Sequence, residues 1–537
     1  MTYDYIIIGA GSAGSILAAR LSQDPKTRVL LLEAGGSDRS FWFDIPAGYA
    51  RNYFNPETNW MYSTEPEAGM AGRKIYTPRG KVQGGSGSIN AMIWVRGQRQ
   101  DFDDWKAAGN PGWGYDDVLP WFRKLEQHPA GETEWHGASG PVGITPMKGQ
   151  THPICDHFLQ AARELDLPLS DDFNGADFEG AGIYETNIAR GKRQSSSKTY
   201  LTPALKRPNL TLRLRAEVTR ILIDDTGRAT GVELQTPDGP EQLSAAREVI
   251  LSAGAVGSPK LLMLSGIGDP EELARHGIAL RAALPAVGQG LQDHLCASYY
   301  YRSTLPTLND ELRPWWGKLR AGMRYLLARS GPLALSVNQA GGFFRTASAV
   351  DAPNIQLYFN PMSYRIPPSV KAKLEPEPYP GFLLAFNACR PQSRGRISLA
   401  SADPRAAPLI RPNYLATERD QREVIEASRL IRRFMQAPAL KAITVEEVSP
   451  GLQTASDSEM LDYLREQGGS IYHLCGSCTM GPDPSRAVVD AELRVHGIRG
   501  LRVADASVFP NITSGNINAP VMMLAEKAAA MISASAR

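Results

Sequence analysis

The chain has 537 residues, too many for one hydrophobic core, so two or more domains are expected. Its composition, 42% apolar and 21% charged, is that of a soluble globular protein. Lys and Arg number 58 against 56 Asp and Glu, and a formal charge of +2 argues against bulk electrostatic binding of nucleic acid. The five cysteines are too few and too scattered for a disulfide framework. Cys475 and Cys478 form a CxxC with no second pair beside it, so no metal site is expected. No apolar run reaches transmembrane length, and the chain enters a strand by residue 4, leaving no room for a signal peptide. The expected location is the cytoplasm, with peripheral attachment at the inner membrane face left open and the oligomeric state unspecified.

The first predicted elements carry the strongest signal. An apolar strand, Tyr5 to Ile8, runs into Gly9, Gly11 and Gly14. A small-residue helix follows, then a second apolar strand ending at Glu33. Gly9 permits the tight turn, Gly11 lets the backbone approach a pyrophosphate, and Gly14 lets the helix pack on the sheet. The helix N-terminus offers free N–H groups and a positive dipole end to the phosphate. Glu33 falls about 20 residues beyond Gly14, where an acid accepts hydrogen bonds from ribose hydroxyls. This is a dinucleotide-binding unit.

An irregular, aromatic and Gly/Pro-rich stretch from about Gly35 to Gly80 comes next. Tyr76 to Gly97 reads as a glycine-rich turn followed by an apolar segment of helical character. Helical spacing resumes around Val118, Leu119, Phe122 and Leu125. A strand-rich stretch begins at Pro208-Asn209-Leu210, with a hairpin turn at Asp225-Thr226-Gly227. Ala246 to Gly268 repeats the strand–turn–helix logic, with the helix expected to start near Ser258-Pro259, where proline suits a first turn. The middle third, about Tyr300 to Pro450, lacks phosphate-type turns. Its runs NIQLYFNP, GFLLAFNAC and GRISLAS are expected to be strands of a separate antiparallel sheet. Glu423 to Gln436 is predicted as an amphipathic helix. GLRVADASVFP reads as a buried strand, and Ala519 to Ala536 as a helix. The chain shows no internal repeat and no low-complexity tract.

Several blocks together resemble one family. PRGKVQGGSGSIN, GAVGSPKLLMLSGIG, VGQGLQDH (Val287 to His294), IYHLCGSCTMG (Ile471 to Gly481) and VADASVFPNITSGNINAP (Val503 to Pro520) match, in order, the motifs of the glucose–methanol–choline (GMC) oxidoreductases, with bacterial choline-dehydrogenase-like and primary-alcohol dehydrogenases the most similar. The resemblance implies an α/β fold: a discontinuous Rossmann-like FAD-binding domain (1–155, 207–300 and 465–537) and a substrate-binding domain (156–206 and 301–464) of α+β type, built on an antiparallel sheet flanked by helices. It implies FAD as cofactor. Ser12 and Ala13 would contact the pyrophosphate alongside Gly9, Gly11 and Gly14. Glu33 and Ala34 would hold the ribose, and Val218 would meet the adenine. Val82, Asn90, Ala91, Met92 and Ile93 would line the isoalloxazine, and Gly85 and Tyr472 would also contact the cofactor. Asp505 and Ala506, with Asn518 and Ala519, would close over the cofactor from the C-terminal side. Relatives that attach FAD covalently do so through a histidine where this chain has Ile89, so attachment is expected to be non-covalent.

The same resemblance makes His473 the general base and Asn518 its partner, with Asn516 two residues away. Alcohol oxidation needs the hydroxyl proton removed as a hydride leaves the same carbon for flavin N5, and an imidazole with a pKa of ~6.5 suits that task. An amide can donate to the oxygen as negative charge develops on it. The expected reaction is oxidation of a primary alcohol to the aldehyde, with the flavin reoxidised by a quinone-type acceptor or O2. Alternatives are a choline dehydrogenase or oxidase, or a non-redox lyase or decarboxylase on the same fold. Gln339 stands where many relatives have glutamate, which favours a neutral alcohol over a cation. His294 and His136 are expected to be structural, Cys475 and Cys478 to be packing residues, and at most one of Trp315 and Trp316 to line a pocket.

Overall fold

A computed structural model describes residues 2–236, 239–349, 351–364 and 375–535. The predicted opening unit is present as strand Thr2–Ile8, helix Ser12–Leu21 and strand Val29–Glu33. The two strands pair in parallel, Tyr5 opposite Val29 and Ile8 opposite Leu32. Ile6, Ile7, Leu30 and Leu31 are fully buried, as expected for strands covered on both faces. Strand Leu210–Leu214 flanks Val29–Glu33 on the outside, and Gly239–Leu251 flanks Thr2–Ile8 on the other side. Gly239–Leu251 does two jobs. Its first half pairs antiparallel with Ala229–Thr236, and Val249 to Leu251 pair in parallel with Leu501–Val503. The hairpin expected at Asp225-Thr226-Gly227 joins Val218–Ile223 to Ala229–Thr236, with Gly227 at φ +73°.

The helix Gly254–Leu264 starts earlier than the sequence suggests, so Pro259 lies inside it rather than in its first turn. A distant residue supplies the start: Asp505 Oδ2 accepts from the Gly254 N–H (2.9 Å) and from Ser258 Oγ (2.6 Å). The terminal helix runs Asn518–Ser535, and the predicted end at Ala536 lies outside the described residues. It packs on Ser12–Leu21, where Arg20 Nε donates to Glu526 Oε1 (2.8 Å).

The second sheet is antiparallel, in the order Thr444–Ser449, Leu295–Ser303, Gly381–Ala388, Ile355–Asn360, Ala340–Phe344, Gly180–Ile183. NIQLYFNP and GFLLAFNAC are neighbours in it, as expected. GRISLAS is not. Gly395–Ser398 pairs instead with Gln289–Leu291 and Leu409–Arg411, and Ile397 and Ile410 join the core of the first sheet. The amphipathic helix extends over Glu418–Gln436, capped by Thr417. It covers one face of the sheet with Val424, Ile431 and Phe434. The opposite face presents Tyr358, Leu383 and Ala385 to Ile93 and Val95.

The apolar segment after the second glycine turn is extended, not helical. Its backbone bonds go to a partner nearly 100 residues away: Trp94 N–H donates to Glu185 O (2.8 Å), and Asn187 N–H to Met92 O (3.1 Å). Arg96, fully enclosed, forms an ion pair with Glu126. His136 belongs to the same buried network, bonded to Glu126 (2.9 Å) and Asp172 (2.8 Å) and stacked on His128. Burial works against its charged form, but the bonds to Asp172 and Glu126 outweigh burial and push its pKa up from 6.5 to about 9. A raised folded-state pKa means that the charged ring stabilises fully below pH 6.5, and that this contribution fades as the pH climbs to about 9. The melting temperature should therefore fall between those two pH values, and the His136→Gln variant, less stable at the acid end, should show a flatter profile by calorimetry.

Candidate active site

Two glycine turns form the floor of the site. Gly9 has φ +95°, and a Cβ on Gly14 would stand 1.9 Å from Gly9 O, so helix and turn are in backbone contact. The second turn, Gly85–Ser88, docks on the first: Gly84 N–H donates to Ala10 O (2.7 Å), and a Cβ on Gly85 would lie 2.8 Å from Gly11 Cα. Above them one cavity of about 630 Å³ reaches from Glu33 to His473. Glu33, Ala34 and Val218 line one end, and Gly9, Gly11, Ser12 and Ala13 line the middle beside Gly85. Asn90, Ala91, Met92, Ile93 and Tyr472 line it as well, as do Asp505 and Ala506. Gly14, Val82 and Ala519 stand behind this wall rather than in it. Val82 bridges to Gly36, and its carbonyl accepts from Gly85 N–H (2.7 Å), so it shapes the turn from below.

Glu33 is buried, and its carboxylate accepts from Ala10 N–H and Gly35 N–H at 2.8 Å each. Burial outweighs these bonds and raises its pKa to about 7. Asp505 faces the cavity but spends its oxygens on the N-terminus of helix Gly254–Leu264 and on Ser507 N–H. A long cavity, a glycine floor at a helix N-terminus and a buried acid at one end fit an extended dinucleotide such as FAD. At the other end the side chains of Asn516 and Tyr358, hydrogen-bond partners of one another, line the cavity.

His473 stands at that end, on a turn held from several sides. Asp293 is the clamp: its Oδ1 accepts from His473 N–H (2.7 Å), and its Oδ2 from Tyr414 Oη (2.6 Å) and Ser470 Oγ. Arg79 donates to the Tyr472 carbonyl, and Tyr472 itself has φ +72°. On either side, Ile471 N–H bonds His294 O, and Cys475 bridges Gln292.

The ring of His473 meets His294, Nδ1 to Nδ1, at 2.9 Å. His294 Nε2 is 2.9 Å from the Cys389 carbonyl, which can only accept, so this nitrogen carries the hydrogen. Burial lowers the pKa of His294 to about 4, and burial together with His294 drives that of His473 well below 6.5. Both rings are therefore neutral. His294 Nδ1 accepts, His473 Nδ1–H donates, and His473 Nε2 is left with its lone pair toward the cavity. The Asn516 amide Nδ2 sits 3.3 Å from that nitrogen.

The residue paired with His473 is thus Asn516, not Asn518. Asn518 lies at the start of the terminal helix, where its Oδ1 accepts from Ser12 Oγ (2.8 Å) and its Nδ2 faces Met522. That places it beside the pyrophosphate turn. His294, expected to be structural, is in direct contact with the His473 ring, and the LQDH motif was its sequence signal. Gln339 does not reach the cavity. It is buried, and its Oε1 accepts from His152 N–H (2.7 Å), so it does not set the charge of the pocket. Trp315 and Trp316 sit on an exposed helix, 77% and 56% accessible, and neither lines the cavity. Cys475 and Cys478 are free thiols in the core.

Comparison with known proteins agrees with this architecture. Family models described as GMC oxidoreductase match residues 3–296 and 391–525. The oxygen-dependent choline dehydrogenase of Rhizobium johnstonii is 42% identical over 530 residues, covering 98% of this chain and 95% of the relative. Among solved structures, pyridoxine 4-oxidase from Mesorbium loti superposes with a TM-score of 0.89 at 31% identity, covering 98% of this chain and 99% of that one. A variant of Aspergillus oryzae formate oxidase superposes with a TM-score of 0.91 at 28% identity, covering 99% and 98%. With both halves of the family pattern matched in order, the chain belongs to the GMC oxidoreductases, FAD-dependent flavoproteins that act on CH–OH groups.

Proposed function

We propose that the protein oxidises a primary alcohol to the aldehyde with His473 as general base and Asn516 as the group that steadies the developing alkoxide. The observation that carries this reading is the neutral His294–His473 pair, which turns one unprotonated nitrogen toward the cavity beside an amide. FAD, when bound, would supply the hydride acceptor, with O2 or a quinone-type compound as the terminal oxidant. His473 Nε2 takes the hydroxyl proton, and the Asn516 Nδ2–H donates to the oxygen as its charge grows. Gly9 to Ala13 and Asn518 would hold the pyrophosphate end, Glu33 and Ala34 the ribose, Val218 the adenine, and Gly85 and Asn90 to Ile93 the ring system. Ile89, on the cavity wall, offers no nucleophile for a covalent link.

A second reading, choline as the alcohol, is favoured by the tyrosines near His473. Tyr49, Tyr53, Tyr300, Tyr364 and Tyr472 line the cavity, and Tyr53 packs edge-on against Tyr472 at 5.4 Å. Aromatic walls suit a quaternary ammonium, and the choline dehydrogenases are named for it. The two readings separate in one experiment. Anaerobic addition of choline or of benzyl alcohol should bleach the flavin band for the true substrate, and bleaching by neither would overturn both. Parallel turnover assays with O2 and with an artificial dye distinguish the acceptors.

His473→Ala should lower kcat by roughly 10²-fold or more with FAD retained, and near-wild-type turnover would remove His473 as the base. Asn516→Ala should lower kcat by about 10²-fold, whereas Asn518→Ala should mainly weaken FAD retention in a flavin-release assay. Because burial lowers the pKa of His473, the acid limb of the kcat/KM profile should lie below pH 6.5. His294→Leu, which removes the proton acceptor behind His473, should shift that limb and lower kcat by about tenfold while leaving the flavin spectrum unchanged.

A further inference from the structure

Among the described residues, the helix Trp315–Ala328 buries only Gly317, Ala321 and Tyr325 against the body, with Gly322 half-buried beside them. At about 100° per residue the three buried positions span one narrow arc. Trp315, Trp316, Leu319, Met323, Leu326 and Leu327 fall on the arc directly opposite, pointing outward, with Leu327 88% exposed. This inverts the usual surface helix, whose apolar stripe faces the core. The remaining positions are not neutral. Lys318 stands on one flank of the apolar arc and Arg320 and Arg324 on the other, all exposed. The segment from Trp315 to Arg329 contains no Asp or Glu. Among the described residues, none of the three cations is paired with an acid.

The patch continues beyond the helix. Phe41, 47% exposed, packs edge-on against Tyr325 at 6.4 Å and against its neighbour Trp42, and Arg51 lies over the Trp42 ring at 4.6 Å. The stretch that carries Phe41 and Trp42 runs on into Tyr49 and Tyr53 of the cavity wall.

We propose that helix Trp315–Ala328, with Phe41 and Trp42, docks the enzyme on an anionic phospholipid bilayer, lying in the plane of the interface. An outward apolar arc bordered by cations on both sides is the arrangement that sinks its apolar residues among acyl chains while Lys and Arg reach up to headgroup phosphates. Two tryptophans on the arc suit the headgroup boundary. No helix among the described residues is long and apolar enough to cross a membrane, so this attachment is peripheral.

The test is sedimentation of the FAD-loaded enzyme with phosphatidylcholine vesicles, with and without phosphatidylglycerol. The wild type should pellet with the phosphatidylglycerol vesicles and less with phosphatidylcholine alone, with a blue shift in tryptophan emission. Leu326→Ser with Leu327→Ser should weaken binding at least about tenfold. Lys318→Glu with Arg320→Glu and Arg324→Glu should abolish the preference for phosphatidylglycerol. Both variants should keep wild-type flavin absorbance and turnover. Failure of the wild type to bind, or binding unchanged in both variants, would overturn the proposal. So would a lipid-free dimer that the leucine substitutions convert to monomer, since a second copy would then be the occupant of this face.

Discussion

The contact of two glycine turns is the constraint on which the rest of the molecule depends. Gly9 to Gly14 and Gly84 to Gly87 meet backbone to backbone, and several of these positions admit no side chain. A Cβ on Gly87 would stand 2.6 Å from Ser12 Oγ, and one on Gly80 would stand 2.3 Å from the Gly85 carbonyl carbon. The result is a floor made of peptide groups, whose N–H donors face upward at a helix N-terminus. Side chains would have raised that floor and hidden those donors. Once the turns are locked, the direction in which residues 89–96 leave them is set, and that strand-like stretch forms the wall leading to the second sheet.

At the far end the governing constraint is a hydrogen atom. The Cys389 carbonyl decides which nitrogen of His294 is protonated, that decides which nitrogen of His473 donates, and so a backbone group outside the cavity leaves the cavity-facing nitrogen basic. Burial enforces the arrangement by keeping both rings neutral. The Asp293 clamp serves the same end by other means: it fixes the backbone of His473, so that the ring need only rotate into place.

Legibility in the sequence followed the range of the interactions. The strand–turn–helix around Gly9, Gly11 and Gly14 and the strand ending at Glu33 were readable because their geometry is local to one β–α–β unit. The helical character expected for residues 91–95 failed because Glu185, Asn187 and Thr186 capture that backbone from far along the chain. The same holds for the start of helix Gly254–Leu264, which Asp505 supplies, and for Gly395–Ser398, whose partners belong to another sheet. Asn516 and Asn518 share one sequence motif and one residue type, and nothing in their neighbours along the chain tells which of them faces His473. Only the position of His473, 43 residues earlier, does so. His294 was visible as a motif but not as a role, because its partner is 179 residues away.

The bond between Ser12 and Asn518 spans 506 residues, as does the Arg20–Glu526 pair beside it. Strand Leu501–Val503 likewise completes a sheet begun at residue 2. During synthesis the first strand–turn–helix therefore emerges long before the helix that covers it. Ile16 and Leu17 wait without part of their packing, and Val249 to Leu251 wait at an open sheet edge of the kind that invites mispairing. A chain stopped short of residue 501 keeps the whole phosphate turn yet lacks the seam that closes it. Retention of flavin would therefore report that residues 12–20 have met residues 518–526, as much as it reports affinity.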